Sequence, residues 1–141
     1  MRSRVVVAVS LVALTLPAAA LAARRVIHGP AGGGSGTVDI TLVSKKGVVK
    51  KLTRFEFNNI QASCTGFPAT AVSNEFPHTI KVKSDGTFHT SVKVNGGRAT
   101  YTVSGKFKNQ NQASGKLHVK GPVPGCAKAD TGSVHWSAKH N

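Results

Sequence analysis

Negative charge is what this chain has least of. Five acidic residues, Asp39, Glu56, Glu75, Asp85 and Asp130, stand against nineteen Lys and Arg in 141 residues. Glycosidase chemistry needs two carboxylates flanking one bond. Asp85 and Asp130 fall in turn or loop sequence. Asp39 and Glu56 are placed to be neighbours on one hairpin, yet nothing draws them into a cleft. The glycine run Ala31–Gly36 lacks the Lys-Ser/Thr of a phosphate-cradling loop and is followed by strand-like sequence, and it does not satisfy Gly-x-Ser-x-Gly. With two cysteines and no C-x-x-C or spaced His pattern, no metal or other cofactor is expected. Aromatics are 6% of residues, too few to spare for a base-stacking platform, which argues against single-stranded nucleic acid as a partner. No segment beyond the N-terminus shows helical periodicity, and no second apolar stretch offers a transmembrane anchor.

Met1-Arg2-Ser3-Arg4 is a basic head, Val5 to Leu16 an apolar run, and Pro17 ends it before an Ala-rich exit. That is the pattern of a signal peptide, too short to span a bilayer, with cleavage expected after Ala22. Residues 23–36 read as a flexible Gly-rich leader. Residues 37–141 read as a single domain of ordinary size. In an exported chain, Cys64 and Cys126 are expected to form one disulfide. It closes a loop of about 60 residues, for which the chain-entropy model gives about 4 kcal/mol.

The stretch Thr79 to Lys120 sets the fold class. Four runs, Thr79–Lys83, Thr87–Val94, Ala99–Lys108 and Ser114–Lys120, alternate apolar and polar residues. Between them stand Ser84-Asp85-Gly86, Asn95-Gly96-Gly97-Arg98 and Asn109–Ala113, rich in residues that suit turns. Thr37–Val43, Val48–Phe57 and Thr131–Lys139 add strands. The hydrophobic parity slips within Val48–Phe57, so a bulge is expected near Lys51–Thr53. Asn58–Pro77 reads as the least regular part, with Ile60, Phe67 and Phe76 plugging the sheet. Gly105 and Gly115 fall at inward positions, where glycine marks a bend or close approach. The expectation is an all-β antiparallel meander of seven to eight strands, forming a small barrel or sandwich.

Lys45, Lys46, Lys50, Lys51 and Arg54 crowd the hairpin joining the first two of these strands, and form the candidate anion-binding cluster. Lysines protecting an edge hairpin from aggregation would look the same. Lys, His, Ser and Thr also share the outward parity of the meander, a face suited to many weak contacts with a polyanion. His118 and His135 would oppose each other if the last strands paired symmetrically about Cys126, but no third metal ligand accompanies them.

Asp85-Gly86-Thr87-Phe88, Val103–Phe107, Ser114–Leu117, Cys126 and Thr131–Ala138 together resemble small exported β-proteins of actinobacteria. The likeness runs from Leu52 to Lys139. It implies an extracytoplasmic β domain with one disulfide and carries no functional residues. The reading is a secreted, monomeric, non-catalytic protein whose partner is an anionic polysaccharide or cell-envelope polymer. A structural or protein-interaction module with incidental charge is the alternative, and a hydrolase a distant one.

Overall fold

A computed structural model describes residues 21–141. The signal-peptide reading lies, up to residue 20, outside the described residues. The organising strand is β3 (Val48–Cys64). It follows β1 (Ala23–Pro30) and β2 (Thr37–Lys45), and precedes β4 (Phe67–Glu75) and β5 (Ile80–Lys81). The chain continues through β6 (Thr87–Val94), β7 (Ala99–Asn109), β8 (Gln112–Val123), β9 (Cys126–Asp130) and β10 (Val134–Lys139). All ten strands belong to one antiparallel sheet.

The meander expected from the sequence is present, with two of its strand paths each broken in two. β4 and β5 follow one path along β3. Between their ladders the Phe76 amide donates to the Phe55 carbonyl, and beyond β5 the Val82 amide donates to that of Lys50. β9 and β10 likewise share one edge of β8, interrupted at Thr131–Ser133. Counting each pair as one path leaves eight, the upper end of the sequence expectation.

The sheet rolls into a partly open barrel. β10 returns to β1, with His28 opposite Lys139 and Ala31 opposite Trp136, and β9 meets the far end of β3 at Ser63–Asp130. No ladder joins β4 to β6 among the described residues. Asn74 Nδ2 instead donates to the Tyr101 hydroxyl at 2.8 Å across that seam. Cys64 and Cys126 are disulfide-bonded, tying the end of β3 to the start of β9.

One core fills the interior. Phe55, Phe57, Phe76 and Tyr101 meet edge to face at 5.5–6.2 Å. Phe88, Gly105, Gly115 and Trp136 form one row across β6, β7, β8 and β10. The two glycines leave room for the rings at either end of the row, which approach to 6.1 Å. A Cβ on Gly105 would stand 2.6 Å from the Phe88 ring and 2.8 Å from the indole. This is the close approach that inward glycine signals, and the aromatic residues cover the gap that glycine opens.

Three expectations need correction. The supposed leader is β1, paired to β2 from Ala23↔Ser44 through Pro30↔Thr37. Its alternation is faint because Gly29 takes one inward position beside Ile27. Asn58–Pro77 is mostly strand, since β3 runs on to Cys64 and β4 pairs back upon it, with register shifts at Phe57/Ile60 and Ala62/Cys64 as its irregularities. Ile60 and Phe76 are buried there as expected, but Phe67 is 69% exposed at the turn. The bulge in β3 is where parity placed it. Register shifts leave Thr53 and Lys50 as extra residues opposite β2.

Candidate functional site: a basic end of the barrel

In an up-and-down barrel, alternate connections share an end. The β2–β3, β5–β6 and β7–β8 turns therefore lie at one end, with the start of β1 and the finish of β10. Direct contacts join these pieces. Ser44 donates to the Gln110 side chain at 3.2 Å, the Arg25 guanidinium donates to the Asn111 side chain, and the His140 amide donates to the Asn111 carbonyl at 2.8 Å.

Lys45 ends β2 and Lys46 opens the β2–β3 turn, with Lys50 and Lys51 just beyond it. The bulge at Lys50 lets both lysines face solvent between buried Val49 and Leu52. A regular strand would turn one of two successive side chains inward. Lys51 also stands opposite Lys81 of β5. Lys83 follows on the next turn, Arg24 and Arg25 begin β1, Lys106 and Lys108 end β7, and Lys139 ends β10. Lys46 and Gly47 both have positive φ, 52° and 75°, the form of a two-residue hairpin turn in which Asn-Gly is customary. A lysine at that tip holds a conformation that a β-carbon disfavours.

One carboxylate lies among these cations, Asp85. It accepts from the Thr87 amide at 3.0 Å and the Thr87 hydroxyl at 2.6 Å. Those bonds, the hydroxyl's first, hold its pKa below the ordinary value. Among the described residues no ion pair involves a lysine or arginine of this end.

The other four carboxylates lie farther along the barrel, each with a cationic or imidazole partner. Asp39 meets His28 at 2.7 Å. Glu56 and Glu75 grip Arg54 at 2.6 and 2.8 Å. Asp130 meets His118 at 2.7 Å. Asp39 and Glu56 are the cross-strand neighbours that the hairpin reading expected.

The candidate cluster is thus divided. Lys45, Lys46, Lys50 and Lys51 remain together and unpaired. Arg54 is bound between two carboxylates that raise its pKa, the hydrogen bond to Glu75 foremost. It was grouped with the lysines by sequence proximity, and β4 brings Glu75 to it from 21 residues away. What sequence reading missed was the company of Arg24, Arg25, Lys81, Lys83, Lys106, Lys108 and Lys139. The available signal was the alternation of connections in a meander, which sends every second turn to the same end.

On the outward face of the meander His89, Ser104, Lys116 and His135 form one row, with Ser104 half-buried and the other three exposed. His118 and His135 do not oppose each other. His135 faces Lys116 and His118 falls opposite the interruption at Thr131–Ser133, because the chain reverses tightly at Pro124-Gly125, ahead of Cys126 rather than about it. His118 binds Asp130 instead, and no metal-binding group of three His, Cys, Asp or Glu occurs among the described residues. Comparison with protein-family models, with curated proteins and with solved structures returned no match to this chain.

Proposed function

We propose that this is an exported, non-catalytic β-barrel that binds an anionic polymer, an acidic polysaccharide or another envelope polymer, through its basic end. The observation that carries the reading is charge sorting. Cations from six strands converge where the sole carboxylate is already hydrogen-bonded, whereas the other carboxylates are engaged by an arginine or an imidazole farther along the barrel. Unpaired cations held at a common rim attract a polyanion, and salt screens that attraction within about 10 Å at 0.1 M. The disulfide supports an oxidising destination.

The test is retention on a sulfated-polysaccharide column with a rising salt gradient. The Lys45/Lys46/Lys50/Lys51→Ala protein should elute at clearly lower salt than the native protein, and Arg54→Ala near the native position. Equal elution of native and quadruple variant would overturn the assignment. High-salt capture of a single envelope protein would favour the alternative of a protein-interaction module.

A further inference from the structure

The glycine-rich segment between β1 and β2 does more than join them. The Ala31 amide donates to the Gly36 carbonyl and the Gly32 amide to that of His135, each at 2.8 Å. The Asn59 side-chain amide donates to the Ser35 hydroxyl. Gly36 is required by contact, since a β-carbon there would run into the Ala31 carbonyl and press on the Ile60 side chain. The segment is therefore a fixed wall. Between it and β10 lies an open cleft of about 600 Å³ on the outside of the barrel, within the range of small-ligand sites.

Its lining is more apolar than polar, with separate polar groups and one cationic side chain set into it. Ser35, Thr37 and Ser137 offer hydroxyls, Gln112 an amide, and Lys139 an ammonium shared with the basic end. His28 completes the set. Its Nδ1 lies 2.7 Å from Asp39, and since a carboxylate only accepts, Nδ1 carries the proton. Among the described residues the other ring nitrogen has no side-chain partner. Alcohol, amide and imidazole groups of this kind pair with the hydroxyls of a sugar ring, each able to meet a donor, an acceptor or both.

We propose that this cleft is a subsite for one or two sugar units bearing an anionic substituent, such as uronate. The inference rests on the polyanion reading and deepens it. The rim supplies charge attraction to the polymer, and the cleft distinguishes a hydroxylated anionic chain from a bare one.

The test is titration calorimetry of the purified protein at low salt with two probes, a galacturonate trisaccharide and inorganic tripolyphosphate. The native protein should prefer the trisaccharide. Ser137→Trp, which fills the cleft from an exposed position on β10, should weaken the trisaccharide about tenfold while tripolyphosphate changes by less than about twofold. Gln112→Ala should act in the same direction by a smaller factor, without adding bulk. Tripolyphosphate binding with no preference for the trisaccharide, or a trisaccharide affinity indifferent to both substitutions, overturns the cleft assignment and leaves the anion-binding rim standing. Failure of both probes to bind overturns both assignments.

Discussion

The two ends of this barrel are held together in different ways. At the end where β3 meets β9, a disulfide, the His118–Asp130 pair and the Thr131 bonds to Val119 secure the chain. At the opposite end, cations crowd several turns and no ion pair restrains them among the described residues. Turns that maximised stability would intersperse charges of both signs. One end is built to stay closed, while the other tolerates mutual repulsion that an anionic partner would relieve.

The sharpest way to break this contrast is to remove the staple. Replacing Cys64 and Cys126 by Ala should cost about 4 kcal/mol in denaturant unfolding, since the bond spans 62 residues. A loss below about 1 kcal/mol would mean that hydrogen bonding alone holds that end. The next comparison removes the same amount of charge as the rim quadruple, from a different place. Lys93/Arg98/Lys120/Lys128→Ala removes four cations from the rest of the barrel, and should lower polyanion affinity by much less than the rim quadruple, for which about tenfold is expected at low salt. Equal losses would show that net charge, not its position, governs binding.

A smaller effect separates charge from backbone comfort at one residue. Lys46→Asn keeps a side chain suited to positive φ and removes one cation. Stability should rise by about 0.5–1 kcal/mol while salt-dependent retention weakens. A drop in stability would mean that the lysine makes a contact of its own.

The smallest effect belongs to Asp130. The Gly132 amide, then His118, holds its carboxyl below the ordinary value of 3.8. The folded state thus favours the charged form. That contribution is present above the unfolded pKa and fades as pH falls through the lower, folded one. Asp130→Asn should therefore flatten the acid limb of a stability profile below about pH 4 and leave the Lys-rich end's binding at neutral pH unchanged. An unaltered acid limb would remove Asp130 from the account of that end.

Much of the architecture was legible because alternation and turn chemistry act between neighbours. Phe88, Tyr101, Val103 and Leu117 advertise one inward face, and Gly86 or Asn95-Gly96 mark the reversals between strands. Even the bulge in β3 announced itself, since Val49, Leu52 and Phe55 cannot all face inward on an unbroken strand. β1 was obscured because an inward glycine erases half of the alternation, and its partners lie at both extremes of the domain.

Arg54 shows the same boundary at the site. Its position beside four lysines is a fact of sequence, and its capture by Glu75 is a fact of strand pairing. Residue type and short-range order suffice for a strand-built, basic chain joined by its two cysteines. Which cations stand free and which are matched, and the cleft lined by a glycine-rich connection, emerge only on folding. Those outcomes depend on closure of the sheet, which brings together side chains that no local rule relates.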